Sequence, residues 1–296
     1  MDRRGWLLFG AMGVIWGIPY LLIRVSVREL TPGTLVFLRT APAALALLPL
    51  AFRRGLIRPL VERWPWVVLY TTVELAVPWG LLSSAERRIP SSLAALLVAT
   101  VPLMGVVVGW RSTRFDRRTV SGLVVGLVGV ALLVGVDVRG ASWAALGQIA
   151  VTAFGYACGP LIVSRRFSDL PALGLVAVSL ALTAVAYAPW GLSHLPPRVS
   201  LEVAGSVATL AVVCTAVAFL LFFALIGAIG PVRATMITYV NPAVALLLGI
   251  ALLGERFTVG MGFGLPLVLA GVALTSERSR LPRAAPGRSR RRAGRP

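Results

Sequence analysis

The sequence predicts an all-α integral membrane protein: ten transmembrane helices in two inverted five-helix repeats, with the N and C termini both cytoplasmic. Three observations predict it. Of 296 residues, 57% are hydrophobic and only 14% are charged. The apolar residues gather into runs long enough to cross about 30 Å of hydrocarbon at about 1.5 Å per helical residue. Stretches of the first half recur in the second at a nearly constant shift.

The ten runs cover roughly 6–23, 33–52, 66–85, 92–110, 119–136, 143–163, 172–191, 203–225, 235–253 and 259–275. The first follows Asp2-Arg3-Arg4. It is too long for a signal-peptide core, no A-x-A site follows it, and nine more runs do, so it reads as a retained helix. The second carries Arg39 and the third Glu74, the one acidic residue deep in any run. The fourth and ninth carry Pro102 and Pro242. The fifth and tenth have no polar stripe but have Gly122, Gly126 and Gly129, and Gly262, Gly264 and Gly271, spacings that let helices approach closely. The sixth bears Gln148, Thr152 and Tyr156; the seventh and eighth offer Tyr187 and Thr215 as weaker polar candidates. Cys158 and Cys214 fall inside runs and read as small packing residues.

A net charge of +18 on a soluble chain would suggest nucleic acid. Here position explains it. With the N-terminus inside, cytoplasmic segments and the tail hold 21 of the 29 arginines, outer loops hold 7, and Arg39 lies within a run. That is the positive-inside bias of a chain in the cytoplasmic membrane, and it leaves no role for nucleic acid. The tail, 278–296, is rich in Arg, Pro and Gly and should be disordered near anionic headgroups of the bilayer. Trp6, Trp64, Trp66 and Trp110 mark the inner edge, and Trp143 and Trp190 the outer. Trp16 and Trp79 sit well inside runs and need another reason.

The repeat is visible by eye. "ALLVATVPLMGVVVGW" around Pro102 aligns with "TMITYVNPAVALLLGI" around Pro242, and "GLVVGLVGVALL" from Gly122 with "GLPLVLAGVALT" from Gly264. The units are 1–137 and 138–277, followed by the tail. Five is odd, so the second copy enters the membrane from the opposite side. Inverted repeats suit alternating access, because two pseudo-equivalent halves can open a central site to either side.

The stretch from "CTAVAFLLFFALIGAIGPVRAT" through "YVNPAVALLLGIALLGERFT" to "AGVAL" resembles the EamA-type transporters of the drug/metabolite transporter superfamily. In the first half, "IWG" at 15–17, Arg39, the stretch from Ser91 to Pro102 and the Gly-rich fifth run match more weakly. The resemblance implies ten helices, a central cavity and movement of small metabolites, often export of amino acids or similar solutes. One departure stands out. The first-half counterpart of "GERFT" is "GWRSTRF", which lacks the Glu, with Asp116 as a candidate substitute.

The chemistry should lie where polar groups interrupt apolar helices. Pro242 cannot donate to the carbonyl of Thr238, and Pro102 cannot donate to that of Val98, so both runs can bend. In lipid a bare carbonyl must face protein or a wet cavity, so the two prolines read as paired hinges, with Asn241 beside one of them. Arg39 and Glu74 are deep enough to be functional candidates. Their depths differ by about 9 Å at the helical rise, within reach of an arginine, so they are expected to form an ion pair. Glu74 could alternatively hold a cationic group or a proton.

The remaining candidates lie on helix faces. Trp16 and Tyr20 share one face with Met12; Tyr70 and Glu74 share another with Pro78. Gln148, Thr152 and Tyr156 repeat every four residues, and Thr235, Thr238 and Asn241 every three. Trp79 and Tyr239 complete the set. Aromatics with a few polar groups suit an amphipathic solute or a protonated amine.

The function expected is secondary transport of a small-molecule substrate. No Walker A pattern points to ATP. A facilitative, channel-like permease and a drug or lipid exporter without proton coupling are the alternatives. Enzyme chemistry is not expected: the one histidine, His194, is in an outer loop, and no pattern implies a catalytic residue, a metal or a cofactor. A monomer and a homodimer both stay open.

Overall fold

The computed structural model describes residues 3–108, 117–137, 142–229, 237 and 240–276. All regular structure among them is helical. Six helical stretches are long and apolar enough to cross a membrane: Arg3–Ser26, Pro32–Arg53, Trp64–Ala85, Trp143–Arg166, Ala172–Ser193 and Leu201–Ala228. Four shorter apolar helices cover Ser91–Gly105, Val120–Leu132, Asn241–Leu253 and Val259–Gly271. The molecule wears its apolar side chains outward: Leu45, Val185 and Leu247 are 74%, 71% and 66% exposed. That suits a surface solvated by lipid.

Three of the six long stretches are interrupted. The first is α1 (Arg3–Ile15) and α2 (Pro19–Ser26), parted at Trp16-Gly17-Ile18, where Pro19 opens the second piece. Next comes α3 (Pro32–Arg53), capped by Thr31, whose hydroxyl accepts from Thr34 N. A short α4 (Arg58–Val61) leads to α5 (Trp64–Tyr70), which continues through a π-helical segment, Thr71–Ala76, into α6 (Val77–Ala85). Then α7 (Ser91–Val98) and α8 (Val101–Val108) are parted at Ala99-Thr100. Helices α9 (Arg117–Asp137), α10 (Trp143–Arg166) and α11 (Ala172–Ser193) are continuous. Another stretch runs α12 (Leu201–Ala211), a second π-helical segment, Val212–Val217, and α13 (Ala218–Ile229). The chain closes with α14 (Asn241–Leu253) and α15 (Val259–Ser276).

The two π segments begin at residues 71 and 212, a spacing of 141. Helices α3 and α11, which begin at 32 and 172, pack along each other, as do α9 and α15, which begin at 117 and 259. In the second pair the glycines are required. A Cβ on Gly271 would lie 2.6 Å from the Gly122 carbonyl oxygen, and one on Gly129 would lie 2.7 Å from Val268 N.

The prolines expected as bends instead open new helices. Pro102 is the second residue of α8 and Pro242 the second of α14. A first-turn proline lacks a donor that would have had no intrahelical partner anyway, so a break relieves the clash more fully than a bend. The expected face Thr235, Thr238 and Asn241 is described only at Asn241. Tyr239, Asp116 and the tail also lie outside the described residues.

Candidate functional site

The break in the first stretch sets the first part of the site. Gly17 N and Ile18 N both turn to Val14 O, at 2.9 and 3.2 Å, which leaves the Gly13 carbonyl without its usual donor. Asn241 supplies one. With its carboxamide turned to satisfy both neighbours, its nitrogen donates to Gly13 O at 3.0 Å and to Ile237 O at 2.9 Å. The carboxamide beside a proline thus ties α14 to the broken first helix. Gly17 permits the close approach: a Cβ there would lie 2.6 Å from Val244 Cγ1 and 3.1 Å from Asn241 O. Trp16, at the break, packs on Phe222 and Phe219 of α13, with ring centroids 4.7 and 5.9 Å away.

Arg39 occupies the interior, 8% exposed. Its Nε donates to Thr215 Oγ1 at 3.0 Å, and its guanidinium lies 3.8 Å from the centroid of the Trp79 ring. Thr215 sits in the second π segment and donates to Leu210 O at 2.8 Å, a bond spanning five residues that the π turn makes available. Tyr20 and Tyr156 are within electrostatic range of the Arg39 charge. Residues from α2, α3, α6, α10 and the second π segment thus converge on one cation.

The expected ion pair does not form. Among the described residues the ion pairs are Arg28 with Glu202 at 3.6 Å and Arg63 with Asp169 at 2.7 Å. Glu74 lies in the first π segment and points instead at α10, where only a glycine leaves room: a Cβ on Gly159 would lie 2.6 Å from the Glu74 carboxyl carbon. Its Oε2 is buried without a hydrogen-bond partner. Tyr70, Tyr156 and Cys158 lie within electrostatic range of it. Depth along a helix made the pairing reachable, but direction around the helix decides it, and the extra residue of a π turn resets that direction.

Tyr156 is the residue between the poles, in range of both Arg39 and Glu74. Lower on the same face, Gln148 Nε2 donates to Ser84 Oγ at 3.0 Å, and Thr152 Oγ1 is 2.9 Å from Gln148 O and 3.3 Å from Pro78 O. Gln148 and Thr152 therefore join α10 to α6, and Gln148 Oε1 stays unpartnered. Tyr187 donates to Ala76 O at 2.9 Å, taking up a carbonyl at the end of the first π segment.

Three features escaped the sequence reading. Glu255, noticed as part of a motif, caps α7. It accepts from Ser91 N at 2.7 Å, Ser91 Oγ at 2.9 Å and Ser92 N at 2.9 Å, and also from Ser92 Oγ. The "GERF" and "SS" motifs are one contact, and a carboxylate at a helix N-terminus is its natural partner. Glu86, just past α6, is fully buried, and the Arg24 guanidinium donates to its backbone carbonyl. The helix-connecting segments also carry two acid anchors. Arg63 grips Asp169 with two bonds of 2.7 Å and holds that carboxyl below the usual aspartate range. Glu29 accepts from Ser200 N at 2.8 Å, and the Ser200 side chain, with this backbone bond second, lowers its pKa too. Among the described residues, no three His, Cys, Asp or Glu side chains gather as a metal site.

Comparison with known proteins agrees with this architecture. The model of the EamA-like transporter family matches twice, over residues 3–135 and 143–277. The uncharacterized inner membrane transporter YedA of Escherichia coli K12 is 31% identical over 290 residues, 91% of this chain and 90% of the relative. A probable amino-acid metabolite efflux pump of Salmonella typhimurium is 24% identical over 291 residues, covering 92% and 94% of the two chains. A solved crystal structure, 21% identical, covers 93% of this chain and 96% of its own at a TM-score of 0.65, a likeness of fold. With multiple apolar helices and a family match along nearly its whole length, this membrane protein belongs to the EamA-like transporter family.

Proposed function

We propose that the chain is a secondary transporter that exports small amphipathic metabolites, amino acids or related solutes, across the cytoplasmic membrane by alternating access. The observation that carries this reading is the separation of two deep, opposite ionisable groups. Arg39 and Glu74 do not neutralise each other, and Tyr156 stands in range of both. A solute with an anionic and a cationic end would place its carboxylate at Arg39 and its amine at Glu74. The aromatic residues Tyr20, Tyr70, Trp79 and Tyr156 would flank its body. The Salmonella relative named as an amino-acid metabolite efflux pump fits that chemistry.

In this reading the six long and four shorter apolar helices are ten spans, in units 1–137 and 138–277, with both termini cytoplasmic. The spacing of 141 residues between the π segments and the side-by-side packing of α3 with α11 and of α9 with α15 support an inverted repeat. The repeated broken and π-helical stretches, α7–α8 among them, supply the discontinuities that midplane sites in such repeats use. Either a proton or a substrate amine can occupy Glu74, and which of the two does decides between proton coupling and facilitated exchange.

Counterflow in proteoliposomes tests it. Vesicles loaded with amino acids and related solutes should exchange a subset of them, with saturation and trans-stimulation. Arg39→Gln should abolish exchange of carboxylate-bearing solutes. Glu74→Gln should either spare exchange and lose its response to a pH gradient, or lose exchange of amines. No exchange across the panel in folded wild-type protein would sink the reading.

A further inference from the structure

A second buried carboxyl lies outside the pair just described. Glu86 is 0% exposed, and neither of its side-chain oxygens has a hydrogen-bond partner. Two sets of residues bear on it. The central Arg39, Tyr20 and Tyr156 are all within electrostatic range of it. Its sequence neighbour Arg87, with Arg24, Arg28, Pro90, Leu253 and Glu255, lines a cavity of about 410 Å³. Arg24 links the two: it lines that cavity and also donates to the backbone carbonyl of Glu86.

We propose that Glu86 is a proton-binding site, filled from the arginine-lined cavity past Arg24, whose protonation frees Arg39 to hold the anionic end of a solute. The last clause rests on the reading of Arg39 as an anion site; proton binding at Glu86 does not. The groups facing the carboxyl are Tyr20 and Arg24 of α2, Arg39 of α3, Tyr156 of α10 and Glu255 beyond α14, with exposed Arg87 and Arg88 beside it in sequence. An ionised Glu86 would be a buried anion with no hydrogen bonds, drawn to Arg24 and Arg39. Burial and the nearby Glu255 carboxylate push the group well above the usual carboxylate range, against the pull of Arg24 and Arg39. A neutral Glu86 leaves the Arg39 charge to the solute. An ionised one competes for it. By reciprocity, a bound carboxylate at Arg39 must tighten the proton at Glu86 to the same degree.

The test reads the proton directly, without a substrate. Folded protein in lipid nanodiscs is titrated from about pH 4.3, the ordinary glutamate value, up to about pH 8. The protonated-carboxyl band in infrared difference spectra and the midpoint of thermal unfolding are both followed. A carboxyl whose folded pKa is raised keeps its proton in the native state and releases it on unfolding. Its stabilisation is therefore complete below the unfolded value and is lost as pH rises toward the folded one. Glu86→Gln, close in shape to the protonated acid, should remove part of the band and flatten the fall in midpoint. Glu74→Gln is the control that identifies the other buried carboxyl. Arg24→Gln, which removes one of the two cations that draw on the carboxylate, should carry the titration to higher pH. A band and slope in Glu86→Gln that match wild type overturn the proposal. Should Glu86→Gln not fold, an Arg24→Gln titration that overlays wild type does the same. A transport failure with these titration changes intact would count against the solute reading alone.

Discussion

Glu255→Ala is the substitution whose cost the structure defines most closely. The carboxylate accepts from two backbone N–H groups and two hydroxyls at the start of α7, with Ser91 and Ser92 both fully buried. A single helix cap is worth about 1 kcal/mol, and hydrogen bonds to a charged acceptor about 1.5–3 kcal/mol each. These do not add, and the adjoining cavity of about 410 Å³ gives water access to some of the orphaned donors. A net loss of about 3 kcal/mol follows for Ala. Gln keeps one acceptor but turns an amide toward donors, so it should lose about 1–2 kcal/mol. At about 2 °C per kcal/mol for a chain of this size, thermal unfolding in detergent, followed by tryptophan fluorescence, should fall by about 6 °C for Ala and about 3 °C for Gln. Ser91→Ala in the Glu255→Ala background should add little, because the two residues share one interaction. An unfolding midpoint for Glu255→Ala within about 1 °C of wild type, or a Gln variant worse than Ala, would refute the reasoning.

Other sites give independent checks. Gly159→Ala would set a methyl group against the Glu74 carboxyl, so α10 must move from the first π segment; a loss of about 1–3 kcal/mol in stability and impaired exchange are expected, and normal behaviour in both would show that Glu74 does not face Gly159. Asn241→Ala leaves the Gly13 carbonyl without a donor, which should cost about 1–3 kcal/mol, with protease sensitivity or amide exchange rising around Gly13–Pro19 rather than in α9. Asp169, held below the ordinary value by Arg63, contributes stability that is complete above about pH 4 and is lost as pH falls through its lowered pKa. The gap in unfolding midpoint between wild type and Asp169→Asn should therefore close in acid, and a gap that widens there would contradict the geometry.

What the sequence made legible was largely axial. The apolar runs marked where helices lie, because length and hydropathy are one-dimensional properties. The likeness of the Pro102 and Pro242 stretches was legible for the same reason: they align by shift alone. Angular information was not. The Arg39–Glu74 pairing rested on depth, and the structure turns Arg39 to Thr215 and Trp79 and Glu74 to Gly159. Neither π segment has a residue signature in "TTVELA" or "VVCTAV" that distinguishes it from ordinary helix. Glu86 was passed over because it sits one residue past an apolar run, where a carboxylate normally meets water; only the packing of α2 and α3 around it reveals its burial. Asn241 and Pro242 posed the right question, and the answer lay 228 positions earlier, at Gly13.

The two π segments act as dislocations, each an extra residue that shifts the angular phase of everything downstream by about 100°. Each half holds one, at matching places, so the two shifts stay in step. Deleting one residue from Thr71–Ala76 would let that helix anneal to α geometry and swing Trp79 away from Arg39, with almost no change in composition or hydropathy. A matched deletion in Val212–Val217 would turn Thr215 as well, and restore step between the halves without restoring the site. A one-residue insertion or deletion in these helices is therefore a mutation of aim more than of length.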